Sequence, residues 1–420
     1  VDNNNVESTI SKITIKKDSV APTVSITRSD YKTFKWSASY TLSGIVGYII
    51  TTTDTTPTGF TLGSTASGSK EISSAGTYYV WVKDSAGNIG KKSITAYTMK
   101  RNQGTGSTLT TRVDSTSAST GTGVTANTVV LSGTTIWAKA TANTGYNTPV
   151  LKNGTVTMTA TGATATITAN TTISSSATIN TVTISYDFNG GNNMNAWKYR
   201  NGTRFTNKYD TSTGLTDVSV AGASGWEIVY IPIATTVGKK YTMSFDYQIP
   251  KAYTALSGYS GVGYQALNAV AENNNSSNQI AIGYLPTTAQ TTSKNASLTF
   301  TATNTTTYFA FNFGMAADNV TTEIKLGNFK ISEQFKYNEQ LGTLPAPVSG
   351  GYTFNGWYDA KTGGNKITST TTAPAANKTY YAQWTEAVAR IGSAVNVMPG
   401  DRYFTSLQSA IDNAITAGDT

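Results

Sequence analysis

Apolar and polar residues alternate along short stretches throughout the chain. In residues 33–39 (TFKWSAS), Phe34, Trp36 and Ala38 alternate with lysine and serine, and the same period recurs in 241–249 (YTMSFDYQI). Successive side chains point to opposite faces of a β-strand, so this period predicts strands with one buried face. Turn clusters rich in Thr, Asn, Gly and Asp separate these stretches. The pattern predicts an all-β protein.

The chain has 420 residues, which is too long for a single core and predicts an all-β multidomain protein. Its strand patterns, together with the resemblance of individual stretches to known repeats, imply a β-sandwich, a small β repeat and a β-grasp-like repeat with an inserted jelly roll. An amphipathic pattern at Leu407, Ala410 and Ile411 predicts one helix near the end. In order, the predicted parts are 1–20, the end of a preceding domain and linker; 21–100, the sandwich; 104–180, the Thr-rich small repeat; 181–191 with 333–386, the discontinuous β-grasp-like repeat; 192–332, the insert; and 387–420, the truncated start of a following repeat domain.

The first two modules resemble repeats of bacterial surface proteins. The strings KWSASYTLSGIVGY (35–48) and YYVWVKDSAGN (78–88) resemble immunoglobulin-like and fibronectin-type-III-like repeats, which implies a sandwich and says little about a ligand. Asp84 and Asn88 fit either a calcium loop or a turn held by side-chain-to-backbone hydrogen bonds, and the shortage of carboxylates favours the turn. In the second module, Asn153-Gly154 predicts a hairpin.

Residues 335–386 carry the most specific pattern. They combine LGTLPAP, GYTFNGWY, GGNKIT and YYAQW, and the earlier YDFNGG (186–191) supplies a matching first strand. This order resembles the internalin-type B-repeat, also called the Listeria–Bacteroides repeat, and the resemblance implies a β-grasp-like fold. Since about 140 residues separate the two parts, we interpret residues 192–332 as an insertion. The alternative is that YDFNGG is a coincidence and the modules lie in series.

The insert resembles a family-four-type (CenC-like) carbohydrate-binding module. The strings GKKYTMSFDY (238–247), FAFNFG (309–314) and GNFKI (327–331) follow the order of that family, which implies a jelly roll. The face of the last strand changes between Leu326 and Phe329, which predicts a bulge at Gly327-Asn328. Gly327 replaces the family's usual Asp in a region that often holds a structural calcium. We therefore expect no cofactor, and structural calcium is an unsupported alternative.

Aromatic and amide side chains of the insert are the candidate ligand-binding residues. Sugar rings stack on Tyr or Trp while amides bond their hydroxyls. A Gly-rich stretch, 251–275, is predicted to be a loop that carries several of these side chains. Tyr308 and Asn312 form a second, weaker set. The predicted glycan-binding residues are Trp226, Tyr230, Tyr253, Tyr259, Tyr264, Gln265 and Tyr284.

Composition argues against several functions. The chain has no Cys and no His, which removes disulfides, thiol nucleophiles and the commonest general base and metal ligand. Glu227, next to Trp226, is the only candidate catalytic carboxylate. No recognisable catalytic motif surrounds it, so we predict that the chain is not an enzyme. The net charge of +8 is spread over scattered basic residues and not over a nucleic-acid-binding run. No stretch approaches the length of a membrane span.

These patterns together predict a secreted, modular, Gram-positive-type surface protein. We predict an adhesin or binding protein whose partner is a polysaccharide or a host-cell-surface glycan, without nucleic acid or membrane insertion. It acts next to further domains of the same chain. The alternatives are a purely structural stalk, or the accessory modules of a large secreted polysaccharide-degrading enzyme. A Lys–Asn isopeptide crosslink is compatible with the stalk.

Overall fold

The computed structural model describes residues 17–200, 202–222, 227–270, 277–317, 321–391 and 402–417. It divides into two compact units, Val1–Thr178 and Ile179–Thr420. The described residues are dominated by strands, with one α-helix and three short 3-10 helices, so the predicted all-β fold class is confirmed.

The first unit contains fifteen strands among its described residues. Its sheets have the orders β1-β2-β5, β13-β12-β15-β7-β6-β3-β4 and β14-β11-β8-β9, and β10 also pairs with β7. The strands are β1 (Thr23–Arg28), β2 (Thr33–Ser39), β3 (Ile45–Thr51), β4 (Thr61–Leu62), β5 (Ser67–Glu71), β6 (Gly76–Asp84), β7 (Ile89–Gln103), β8 (Ser107–Val113), β9 (Thr122–Val124), β10 (Thr128–Leu131), β11 (Thr134–Ala142), β12 (Val150–Asn153), β13 (Val156–Met158), β14 (Ala163–Ile167) and β15 (Thr171–Ser176).

Strand β7 joins the two predicted modules of this unit. Its first part pairs antiparallel with β6, and its last part, from Met99 to Gln103, pairs parallel with β15. The boundary predicted after residue 100 therefore lies inside a continuous strand and not in a linker. Each part still has its own core, one around Phe34 and Trp36 and the other around Met99 and Ile136. Residues 96–103 contain no Gly or Pro, so the sequence has no turn signal at this boundary.

Two turns of the first unit behave as predicted. The Asp84 carboxylate is fully buried and accepts hydrogen bonds from the backbone N–H and the side-chain amide of Asn88, at 2.8 and 2.9 Å. Both oxygens are thus used in closing the turn, as in the turn interpretation. Asn153 and Gly154 lie at the β12–β13 hairpin, where Gly154 has a positive φ of 58°.

The second unit contains sixteen strands and the α-helix among its described residues. Its 3-10 helices are Met194–Ala196, Gly202–Arg204 and Phe313–Met315. The other elements are β16 (Thr181–Asp187), β17 (Lys198–Arg200), β18 (Phe205–Asp210), β19 (Leu215–Val220), β20 (Ile228–Ala234), β21 (Lys240–Ile249), β22 (Gly263–Leu267), β23 (Gln279–Tyr284), β24 (Gln290–Thr301), β25 (Thr306–Asn312), β26 (Thr322–Lys336), β27 (Tyr352–Tyr358), β28 (Lys366–Ile367), β29 (Lys378–Glu386), β30 (Ala389–Ile391), β31 (Arg402–Phe404) and α1 (Leu407–Ala417).

Strand β16 closes the sheet of the C-terminal repeat across a long sequence distance. It pairs parallel with β29 and antiparallel with the second half of β26. Its Tyr186 ring lies 5.1 Å from Trp357 and 6.2 Å from Tyr380, measured between centroids. These contacts support the assignment of residues 181–191 to the repeat, although the exact module boundaries stay predictions.

The insert has two sheets that face one another. One sheet has the order β17-β20-β25-β22-β23, and the other is built on β19, β21, β24 and β26. Strand β26 is shared: β19 and β21 pair along it, and β16 pairs with its second half. One continuous hydrophobic core therefore contains residues of the repeat, such as Trp357, and of the insert, such as Phe245.

A bulge on β26 lies where the sequence predicts one. The pairing with β21 shifts between Ser244 and Asp246, so that β26 has one extra residue opposite them. Asn328 takes up the distortion with a φ of 51°, and its amide donates to the Asp246 carboxylate at 2.9 Å. The bulge turns both Leu326 and Phe329 into the core, where each is fully buried.

The end of the described chain forms a small hairpin, β30–β31, followed by α1. Ala410 is buried, whereas Leu407 and Ile411 on the same predicted face are 68% and 42% exposed. The helix is thus confirmed, and its apolar face is only partly covered.

Candidate binding site on the five-stranded sheet

The five-stranded sheet has an inner face on the core and an outer face whose residues follow from its register. Residues directly opposite one another in an antiparallel sheet share a face. Tyr230 of β20 and Gln265 of β22 both lie opposite Ala310 of β25. Tyr308 lies one row away, opposite Pro232, and Asn312 lies opposite Ile228. These residues form the outer face, which opposes the face that carries Phe309 and Phe311.

Two tyrosines form the aromatic centre of this face. The rings of Tyr230 and Tyr308 lie 5.8 Å apart in an edge-to-face arrangement, and both side chains are half-buried. Burial, and then the neighbouring Tyr308, raise the pKa of the Tyr230 hydroxyl. Beneath them, Ile228, Leu267 and Ala310 form a small apolar cluster separate from the main core. Such a half-covered pair offers ring surface to a ligand.

A chain of amides forms the floor next to these rings. The Gln265 amide donates to Gln279 Oε1 at 2.9 Å, and Asn312 Nδ2 donates to Gln265 Oε1 at 3.4 Å. Asn312 Oδ1 accepts from the backbone N–H of Gly314 at 3.1 Å. Buried amides are stable only when hydrogen-bonded, and this network holds both side chains in place. Gln265 and Asn312 are 2% and 0% exposed, so they support the face from below.

Two of the residues predicted to lie on the loop, Tyr264 and Gln265, lie on a strand. Both residues belong to strand β22. The sequence analysis did not predict this strand because it is short and mixes Tyr, Gln and Ala, so that its alternation is hard to recognise. The Tyr264 ring packs edge-on against Phe245 at 5.3 Å, on the inner face.

Tyr253 lies in the core. Its hydroxyl accepts from the Val262 N–H at 2.8 Å and donates to the Leu285 carbonyl at 3.2 Å. Burial raises the pKa of Tyr253 to about 12. With 7% of the residue exposed, Tyr253 offers no ring surface to a sugar in this conformation.

The remaining predicted residues lie near the edge strand β23 of the five-stranded sheet or outside the described residues. Tyr284 of β23 lies opposite Gly263 and is half-buried, on the outer face. Burial, and then Tyr259, raise the pKa of Tyr284. Tyr259 is half-buried, and its backbone N–H donates to the Leu256 carbonyl at 2.9 Å. Trp226 lies outside the described residues. Tyr308 and Asn312, the weaker set of the sequence analysis, lie on the outer face of the central strand β25.

The described residues give no support for a metal site or a membrane span. Within the described ranges, no group of three Asp, Glu, His or Cys side chains is placed to hold a metal ion. In the same ranges, no helix has the length and apolarity that crossing a bilayer requires.

Comparison with known proteins identifies the C-terminal repeat. Residues 318–383 match the family model of the Listeria-Bacteroides repeat domain. Internalin H of Listeria monocytogenes is 48% identical over 56 residues, which are 13% of this chain and 10% of internalin H. The predicted internalin-type repeat is thus confirmed. The chain spans about a tenth of the length of internalin H.

Solved structures of carbohydrate-binding modules are also similar to parts of the chain. A family 4 module covers 34% of this chain and 89% of its own, at 18% identity and a TM-score of 0.25. A mannan-recognising family 27 module covers 37% of this chain and 98% of its own, at 14% identity and a TM-score of 0.21.

Proposed function

We propose that this chain is part of an extracellular surface protein that binds glycans through the outer face of the five-stranded sheet. The main support is the half-buried Tyr230–Tyr308 pair, next to the hydrogen-bonded amides of Gln265 and Asn312. Pyranose rings stack on such aromatic surfaces, and fixed side chains lower the entropic cost of binding. The Listeria-Bacteroides repeat and the 56-residue similarity to internalin H support a place at the cell surface or outside the cell.

The site is better suited to binding than to catalysis. Glycoside hydrolysis needs two carboxylates on either side of the bond that is cleaved. Glu227, at the start of β20, is 1% exposed, and its carboxylate lies 3.8 Å from Arg204 Nε. A single buried carboxylate paired with a guanidinium lacks the second carboxylate that this reaction requires. We therefore propose recognition of a polysaccharide or a cell-surface glycan, as by an adhesin, without turnover.

Replacement of the tyrosine pair tests this proposal. We expect Tyr230→Ala to weaken glycan binding at least about tenfold, or about 1.4 kcal/mol, since the stacking surface is lost. The measurement is a glycan-array screen of the full chain, followed by calorimetric titration of the bound glycan. Tyr337→Ala, a half-buried tyrosine elsewhere in the second unit, is the matched control and should bind normally.

Other results would redirect the assignment. Loss of binding in Tyr284→Ala but not in Tyr230→Ala would move the site to the β23 edge. If a folded sample bound no glycan, the structural stalk would be the better function. The continuous strands β7 and β26 favour that second candidate, because each connects neighbouring modules through backbone hydrogen bonds.

A further inference from the structure

The Listeria-Bacteroides repeat has an open cavity of its own, which we call the repeat cavity. It measures about 330 Å³, at the lower end of the range for ligand sites. It is separate from the outer face of the five-stranded sheet and shares no residue with it. Its main lining residues are Asn189, Tyr352, Lys361, Thr362, Gln383 and Trp384.

The Trp384 ring is fixed in position at the wall of this cavity. Its Nε1 donates to the Phe188 carbonyl at 2.8 Å, and Phe354 packs against it at 5.3 Å. The ring also lies directly on Gly191, where a Cβ atom would come within 2.1 Å of Trp384 Cζ2. A large aromatic surface held this way loses little conformational entropy when a ligand stacks on it.

Tyr352 supplies a second, more exposed aromatic surface. It begins strand β27 and is 38% exposed, so part of its ring is open to a ligand. Tyr209 of the insert lies nearby: its hydroxyl donates to the carbonyl of Gly190, another lining residue, at 3.4 Å. The insert thus contacts a lining residue of the cavity.

The amides of the cavity are oriented by the backbone. Asn189 Nδ2 donates to the carbonyls of Lys361 and Ala382, both at 2.9 Å. Gln383 Nε2 donates to the carbonyls of Gly363 and Ala360, at 2.6 and 3.1 Å. The amide nitrogens already donate to backbone carbonyls. The side-chain oxygens of Asn189 and Gln383 therefore remain to accept hydrogen bonds from a ligand.

We propose that the repeat cavity is a second glycan site, in which a sugar ring stacks on Tyr352 and Trp384. The hydroxyls of the sugar donate to the oxygens of Asn189 and Gln383. The Lys361 ammonium and the Thr362 hydroxyl supply donors for the sugar's oxygens. The two aromatic walls and the mixed set of acceptors and donors match a hydroxylated ring, which carries both kinds of group.

A proline-rich peptide fits this cavity less well. Such peptides dock on aromatic grooves and present backbone carbonyls, which need N–H or O–H donors from the groove. Here the indole N–H of Trp384 is already used by Phe188, and the amide nitrogens of Asn189 and Gln383 are used by other carbonyls. The Lys361 ammonium and the Thr362 hydroxyl remain as donors, but the side-chain oxygens of Asn189 and Gln383 would face peptide carbonyls without a proton between them.

Titration of variants of the full chain tests this proposal. The probes are soluble mannan, β-glucan, xylan and polygalacturonate, with a decaproline peptide as the competing ligand class. We expect Tyr352→Ala to weaken binding of at least one polysaccharide about tenfold, while Tyr352→Phe retains it because the ring remains. Lys361→Ala should weaken the same polysaccharide, and Tyr337→Ala should have no effect.

The outcomes separate this site from the proposed function. Binding that is lost in Tyr352→Ala and kept in Tyr230→Ala supports a second site, even if the outer face of the five-stranded sheet binds nothing. Binding that depends on Tyr230 alone, or on neither tyrosine, overturns the repeat cavity as a glycan site. Decaproline binding that Tyr352→Ala abolishes, without polysaccharide binding, overturns it in favour of a peptide site.

Discussion

Phe329→Ala should lower the free energy of unfolding of the second unit by about 3–5 kcal/mol, the range for removing a large buried aromatic side chain. Phe329 is fully buried on the shared strand β26. Its ring centroid lies 4.9 Å from that of Trp197, 6.1 Å from that of Phe188 and 6.3 Å from those of Phe245 and Phe311. One ring thus connects residues of the insert with a residue of the repeat.

The same variant tests whether repeat and insert unfold together. Because they share β26 and one core, we expect faster hydrogen exchange both in β21 of the insert and in β27 of the repeat. Phe60→Ala, at a half-buried phenylalanine of the first unit, is the control and should leave both strands protected. Faster exchange in β21 alone would mean that the two modules are independent, as in the serial arrangement considered from sequence.

Glu333→Gln should stabilise the second unit at pH 8 by about 1–3 kcal/mol. Glu333 lies on β26 and is 4% exposed, with Lys239 Nζ 3.9 Å from its carboxylate. Burial raises the pKa of Glu333 to about 7, against the opposing effects of Lys239 and a hydrogen bond with Tyr241. Each unit of pKa difference between the folded and unfolded states is worth about 1.4 kcal/mol.

The sign of the pH dependence follows from the direction of that shift. Between the ordinary value of 4.5 and about 7, the folded state binds more protons than the unfolded state. Stability from Glu333 is therefore fully present below pH 4.5 and is lost as the pH rises through 7. Glu339 acts in the opposite sense and at lower pH. Despite partial burial, a hydrogen bond from the Lys336 backbone N–H and the charge of Lys239 hold its pKa below the usual value.

Pulse proteolysis in urea at several pH values measures the stability of the second unit, which is followed through the fragments that come from that unit. The native protein should become less stable from pH 5 to pH 8, and Glu333→Gln should flatten that dependence. Glu386→Gln, at an exposed glutamate of β29, is the control and should follow the native curve. If Glu333→Gln were less stable than the native protein at pH 8, the ion pair with Lys239 would outweigh the cost of burial.

The sequence by itself determined the strands and the identity of the repeat. Alternation predicts one-face-buried strands wherever it runs without interruption, as in β2, β6 and β21, because the period of two is a local property of the extended backbone. The turn at Asn153-Gly154 and the bulge at Asn328 were also predictable, since both depend on local conformations that Gly and Asn readily adopt. The aromatic and glycine spacing of residues 335–386 identifies the repeat for the same reason.

Only the tertiary structure decided which side of each strand is covered and where modules join. Alternation shows that Tyr264 and Gln265 face opposite ways, but it cannot show that Tyr264 packs on Phe245 while Gln265 supports the outer face. Likewise, the sharing of β26 depends on its pairing with β16, which is about 150 residues away in sequence. Burial and long-range pairing are properties of the whole assembled core, and no local stretch of sequence encodes them alone.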